Sequence, residues 1–273
     1  MRTLVQISDL HFGRVDPLLL DPLAATIDAI GPDVVVVSGD LTQRARDTQF
    51  RAARAFLDRL PMPQVVVPGN HDVPLYDVVR RFVAPLSRFR RYIEPDPAPF
   101  FRDDHVAVLG INSARSLTFK GGRINHEQIE TVRARFAGLD PAVIRVLVTH
   151  HPFELPPDAD EDDLIGRGAL AMQAFAECGV DVLLSGHLHR SHSGSTTRYH
   201  IDNYAALVVQ AGTASSTRGR GEANAFNVIR IERPRATTPR ITVEAWSWQA
   251  PRQAFALERS DTFRRGTEGW ARD

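Results

Sequence analysis

Short runs of β-branched residues alternate along the chain with longer segments in which apolar positions recur every three or four residues. Leu4–Ile7, Val34–Val37, Gln64–Val67, Val106–Ile111, Arg145–Thr149 and Val180–Leu184 read as buried strands, and Leu207–Val209, Phe226–Ile231 and Ile241–Trp246 as later ones. The segments near Pro17–Ile30, Asp47–Arg59, His126–Phe136 and Ala169–Cys178 read as helices. Strand–helix alternation predicts an α/β fold with layered sheets, and the late strands, which arrive without helices, predict a second, more antiparallel sheet. No internal repeat or low-complexity linker interrupts the pattern, so residues 1–273 are expected to form a single domain.

Composition narrows the function classes. A chain with 43% hydrophobic and 24% charged residues has the make-up of a globular protein. Its 33 basic and 33 acidic residues cancel, so no global field draws it to nucleic acid or an anionic membrane, although a local basic patch stays open. Cys178 is the only cysteine, which excludes an intramolecular disulfide and any cysteine-rich metal site. The opening MRTLVQIS is already strand-like, and no run of 18 apolar residues follows. The expectation is a cytoplasmic enzyme with no membrane and no stable nucleic-acid partner.

Polar residues fall at the strand ends in an ordered way. SDLHFG follows Leu4–Ile7, SGDLTQ follows Val34–Val37, PGNHD follows Gln64–Val67, THHPF follows Arg145–Val148, and SGHLH follows Val180–Leu184. Each alone is an ordinary turn or a lone histidine pair. Five in succession, each delivering His, Asp or Asn to the sheet edge where α/β proteins bind ligands, point to a metal site.

That ordered set resembles the calcineurin-like metallophosphoesterase superfamily, whose D-x-H, G-D, G-N-H-D/E, H and G-H-x-H motifs are matched by Asp9/His11, Asp40, Gly69–Asp72, His150 and Gly186–His189. The resemblance implies a four-layer α/β/β/α sandwich of two mixed sheets with a dinuclear metal centre at the carboxyl ends of the strands. It places Asp9, His11 and His189 on one metal and Asn70, His150 and His187 on the other, with Asp40 bridging. Imidazole, carboxylate and amide donors suit Mn²⁺, Fe²⁺ or Zn²⁺. Two such ions would support in-line attack of a metal-bridging hydroxide at phosphorus. His71 is then expected to touch substrate and act as general acid or transition-state stabiliser, with Asp72 orienting its ring. Asn70 is expected at the substrate as well as on the metal.

Finer motifs bear on the substrate. Gln43 stands where purple acid phosphatases place a tyrosine ligand, and Leu41–Ala45 departs from the GDxVDRG of protein phosphatases. The closest resemblance is to bacterial class III cyclic nucleotide phosphodiesterases and glycerophosphodiesterases, through Ser8–Gly13, Val34–Thr42, Val66–Asp72, Ile111–Ser113 and His150–Pro152. This implies hydrolysis of a small phosphodiester, with a phosphomonoesterase or nucleotidase as the alternative, a non-catalytic scaffold disfavoured by the complete ligand set, and a homodimer as a family expectation. By the same resemblance Asn112 is a substrate-binding candidate.

Three segments and two histidines are left open. Glu154–Gly168 is acidic and proline-rich, readable as a lid or a solvated loop; Arg190–His200 continues the last metal loop. Gly212–Asn227 is glycine- and arginine-rich and suits an anionic substrate or a second subunit. Strand alternation should turn His151 away from His150, and in an extended chain His187 and His189 fall on one side while His192 does not.

Overall fold

The computed structural model describes residues 1–118, 120–218, 221–232 and 238–273. Its strands are, in chain order, β1 (Arg2–Ile7), β2 (Val34–Ser38), β3 (Gln64–Val67), β4 (Phe100–Arg102), β5 (Val106–Gly110), β6 (Ile144–Val148), β7 (Val182–Ser185), β8 (His192–Ser195), β9 (Leu207–Gln210), β10 (Ala225–Glu232), β11 (Arg240–Gln249), β12 (Ala254–Gly266) and β13 (Gly269–Arg272). Its α-helices are α1 (Pro17–Ile30), α2 (Asp47–Leu57), α3 (Val78–Val83), α4 (Ser87–Tyr92), α5 (His126–Phe136) and α6 (Gly168–Glu177).

The strands form two mixed sheets, ordered β13-β12-β11-β10-β1-β2-β3 and β4-β5-β6-β7-β9-β8. In the first, β1, β2 and β3 are parallel, while β10 to β13 extend antiparallel from β1. In the second, β5, β6, β7 and β9 are parallel and only the edges β4 and β8 run opposite. The late strands therefore do not build a separate antiparallel sheet. Most join the sheet begun by β1, and β9 completes the other.

Side-chain alternation explains why the runs are apolar throughout. Val5, Val35, Val37 and Val66 turn outward against Leu23, Ile27, Phe50 and Phe56 of α1 and α2. Leu4, Val34, Val36, Val65 and Val67 turn inward and meet Val106, Val146, Val148, Val182, Leu184 and Val209 of the second sheet. On the far side, Leu109, Leu147 and Leu183 pack under Ile129, Val132 and Phe136 of α5 and Phe175 of α6. Both faces of the central strands are covered, so neither face of those strands needs a polar residue, whereas β11 to β13 combine buried and more exposed positions. The result is the expected α/β/β/α sandwich.

Capping residues set several helix boundaries. Asp16 accepts a hydrogen bond from the Leu18 amide with proline at the helix start, and Gly31 ends α1 in the left-handed conformation. Asn125 and Gln128 form a reciprocal capping box at α5. Among the described residues, no helix is long and apolar enough to cross a membrane.

Candidate metal centre

Five strands deliver the predicted residues to one place. Asp9 and His11 follow β1, Asp40 follows β2, Asn70–Asp72 form a single 3-10 turn after β3, His150 follows β6, and His187 and His189 follow β7. The first three strands belong to one sheet and the last two to the other, so the site straddles the carboxyl edges of both. Buried polar contacts join those edges: Gln6 donates to the Ser185 carbonyl at 2.9 Å, and the His187 amide donates to Asp9 Oδ2 at 3.1 Å. A Cβ at Gly186 would run into Ser8 and Asp9, and one at Gly69 into Asp40. Only glycine permits either approach.

Five of the seven predicted ligands have left-handed backbone: Asp9 (φ 54°), His11 (φ 49°), Asp40 (φ 52°), His187 (φ 73°) and His189 (φ 57°). Non-glycine residues adopt this conformation uncommonly, and it persists where surrounding contacts enforce it. It also corrects the extended-chain expectation for His187 and His189. Their divergence comes from left-handed turns after β7, not from strand alternation.

Hydrogen bonds to main-chain carbonyls fix the imidazole protons, because a carbonyl only accepts. His189 Nδ1 donates to the Arg218 carbonyl at 3.1 Å, which leaves Nε2 bare in the neutral ring. That nitrogen lies 3.1 Å from His11 Nε2 and 3.2 Å from Asp9 Oδ1. Asp9 Oδ1 is buried without a hydrogen-bond partner. Asp40 Oδ2 stands 3.6 Å from His11 Nε2.

The second group repeats the arrangement. His150 Nδ1 donates to the Ser38 carbonyl at 2.8 Å, and His187 Nε2 donates to Asp163 Oδ1 at 3.2 Å. Their bare nitrogens face each other at 3.3 Å, with Asn70 Oδ1 3.1 Å and Asp40 Oδ1 3.5 Å from His150 Nε2. In the second group lone pairs converge with no proton of their own to share, and in the first the bare Nε2 of His189 and the unpartnered Oδ1 of Asp9 converge on His11 Nε2. That donor set calls for a cation, and the mixture of imidazole, carboxylate and amide oxygen fits a borderline or hard divalent ion. Each oxygen of Asp40 serves one group.

The ionisation of the site reflects the same demand. Burial opposes the charge of Asp9, yet His189 and His11 outweigh it and hold the carboxyl well below its usual range. Burial likewise opposes Asp40, whose pKa is nevertheless lowered by His150, His11 and His71. For His189 burial disfavours the imidazolium, but Asp9 and Asp40 raise the pKa overall.

His151 is nearer than alternation predicts, its ring centroid 4.6 Å from that of His187. Its Nε2 donates to the Lys120 carbonyl at 2.6 Å, so Nδ1 is the acceptor for the Ser113 hydroxyl at 2.8 Å. Both nitrogens are committed, and burial followed by the neighbouring His187 and His150 keeps the ring neutral. His151 is a packed buttress for His150 and His187. His192 opens β8 and joins neither group.

One further expectation changes. Asp72 does not orient the His71 ring. Its carboxylate accepts from the amides of Gly69, Leu41 and Thr42 and from the Thr42 hydroxyl, tying the β2 and β3 loops together. Burial, with the charge of Asp40 added, pushes its carboxyl up to about 6. The His71 ring is oriented instead by Nδ1 donating to the Gln43 carbonyl at 3.1 Å. Asn112 is not brought into either group; its Oδ1 accepts from the Ala114 amide in a local turn, beside Pro68 and Phe89.

The acidic segment 154–168 is anchored rather than freely solvated. Glu154 is buried and accepts from the amides of Thr197 and Arg198, and Asp163 holds His187. An open cavity of ≈ 630 Å³ lined by Lys120, Asp158, Asp163, Leu188, Arg190 and Glu222 adjoins it. A carboxylate behind a histidine ligand typically tunes metal affinity 10- to 100-fold. Asp163→Ala is therefore expected to weaken one of two bound ions by roughly 10- to 100-fold, read by calorimetric metal titration. Unchanged affinities for both ions would sink that role.

Comparison with known proteins follows this geometry. A family model described as calcineurin-like phosphoesterase matches residues 2–191. A glycerophosphodiester phosphodiesterase of Enterobacter lignolyticus is 36% identical over 80 residues, covering 25% of this chain and only 29% of that protein. A Synechococcus protein named "Probable cyclic nucleotide phosphodiesterase" is 24% identical over 211 residues, 69% of this chain and 74% of that one. Among solved structures, a dimetal phosphatase from Danio rerio superposes with TM-score 0.64 at 14% identity, covering 94% of this chain and 98% of that one. A purple acid phosphatase from yellow lupin seeds gives TM-score 0.63 at 13% identity, covering 96% and 53%. At such identities the two structures speak for the fold.

Proposed function

The chain belongs to the calcineurin-like phosphoesterase family, and from that premise we propose that it is a two-metal phosphodiesterase acting on small diesters of the cyclic nucleotide or glycerophosphodiester kind. The observation that carries the reading is the pair of His/Asp/Asn donor clusters sharing Asp40. Asp9, His11 and His189 would hold one ion, and Asn70, His150 and His187 the other. Divalent ions held there supply Lewis-acid polarisation of a phosphoryl oxygen and offset the charge that develops on it.

The protein's own groups handle what remains. Ser38, Asp163 and Arg218 fix the tautomers of His150, His187 and His189, so ligand nitrogens meet an incoming ion without reorganising. His71 lies with its ring centroid 4.9 Å from that of His11 and its Nε2 4.0 Å from Asp40 Oδ2. From there it would border a bound phosphoryl group; because its ring proton sits on Nδ1, general-acid duty requires Nε2 to be protonated first, while a stabilising contact does not. Asp72 holds the turn that carries Asn70 and His71, which makes it a positioning residue.

Diester preference is supported by the names of the relatives, and the balanced charge of the chain provides no global field to draw in a nucleic-acid polymer. The test is a panel of bis(p-nitrophenyl) phosphate, p-nitrophenyl phosphate, 3′,5′- and 2′,3′-cyclic nucleotides and glycerophosphodiesters under defined metal loading. Highest kcat/KM on diesters is expected. A consistent monoester preference would replace the reading with a phosphomonoesterase, and no turnover of any ester by two-metal protein would end it.

A further inference from the structure

The segment Gly212–Asn227 remains outside the function so far, apart from one main-chain carbonyl. It follows β9 and crosses to the β1 loop, where the Ala214 amide donates to the Ser8 carbonyl at 3.0 Å and Thr213 Oγ1 donates to the Asp9 carbonyl at 2.7 Å. The Thr217 amide bonds the Arg14 carbonyl at 2.8 Å, and the Arg218 amide bonds Ser216 Oγ at 3.1 Å. These contacts fix the main chain at Arg218. Gly219 and Arg220 lie outside the described residues.

The Arg218 side chain extends over His71. Its Nη1 lies 3.1 Å from His71 Nε2 and 3.5 Å from Gln43 Oε1. Since His71 Nδ1 carries the ring proton toward the Gln43 carbonyl, Nε2 accepts and the guanidinium donates. Among the described residues no carboxylate pairs with Arg218, whereas Arg190 meets Asp158 and Glu222, and Arg198 meets Glu154 and Glu161.

We propose that Arg218 is a substrate-binding residue that takes a non-bridging oxygen of the phosphoryl group, with His71 steadying the guanidinium beneath it. The inference rests on the phosphoesterase reading and adds a residue to it. Holding an unpaired guanidinium beside a centre built for two dications is unfavourable unless an anion sits between them. A phosphoryl group supplies that anion, and the planar fork of arginine matches two of its oxygens where a point charge does not. Asp40 is already shared by the two groups and forms no ion pair with the guanidinium among the described residues; on that side its Oδ2 lies 4.0 Å from the intervening His71 Nε2.

The experiment uses the metal-loaded full chain with Arg218→Gln and Arg218→Lys. Metal content should match the parent, because His189 is held by the main-chain carbonyl, which both variants keep. The dissociation constant of inorganic phosphate, measured by calorimetry, should rise about 10- to 100-fold in Arg218→Gln. Arg218→Lys should recover part of that loss, and kcat/KM on bis(p-nitrophenyl) phosphate should fall in the same order. A phosphate affinity unchanged in Arg218→Gln with both ions bound overturns the assignment, as does loaded parent protein that binds no phosphate. Phosphate binding that depends on Arg218 in a protein without turnover would leave the assignment standing and defeat the diesterase reading instead.

Discussion

Asp40→Ala is expected to lose both ions and to hydrolyse phosphodiester at least about a thousandfold more slowly than the parent, since a single carboxylate supplies an oxygen to each donor group. The main chain compounds the effect: Asp40 Oδ1 also accepts from the His71 amide at 2.8 Å, so the turn carrying Asn70 and His71 loses its anchor. Elemental analysis after gel filtration reads the ions, and initial rates read turnover. Asp40→Asn separates the two contributions. Its amide keeps one acceptor oxygen but puts N–H donors where a lone pair is required, so it should retain more secondary-structure stability than activity. Full metal content and full activity in Asp40→Ala would refute the proposal for both groups at once.

His187→Ala and His189→Ala should each deplete a different ion, although only Leu188 separates the two residues. His187 faces His150 and is backed by Asp163, while His189 faces His11 and Asp9 and is backed by the Arg218 carbonyl. Each single variant is expected to bind about one ion per chain, with the residual affinity tracing to the untouched group, and to lose on the order of 10²-fold or more in kcat. Loading each variant with a spectroscopically distinct ion identifies which position survives. Retention of two ions by either variant contradicts the division. Equal loss of both ions in both variants would mean that the positions fill as a unit and that the split into two triads has no thermodynamic content.

The central sheets were legible because their strands are buried on both faces and so read as uninterrupted β-branched runs. The elements that escaped have a different physical origin. β8 is His192-Ser-Gly-Ser195, without an apolar side chain, and it forms because the edge of β9 offers it a hydrogen-bonding partner. β12 has a long exposed stretch whose polar residues carry no burial signal, and α3 and α4 are 6-residue helices too short for periodicity to register. The sheet to which the late strands belong was invisible for a related reason. Pairing β10 with β1 joins Arg2–Gln6 to Asn227–Ile231, a contact far apart in sequence about which local pattern says nothing.

The sequence by itself determined which chemical groups stand at which strand ends. Residue type and the step from apolar run to polar loop are local properties, and they sufficed to bring Asp9, His11, Asp40, Asn70, His150, His187 and His189 into consideration together. Only the tertiary structure decided how those groups point. Left-handed backbone at five of them, the assignment of one oxygen of Asp40 to each group, and the proton positions on His150, His187 and His189 all depend on partners far along the chain: Ser38, Asp163 and the Arg218 carbonyl. The same is true of the revised roles. Asp72 bonds loops that sequence order separates, and Arg218 meets His71 across 147 positions, because strained loop conformations and imidazole tautomers are set by whatever the fold packs against them.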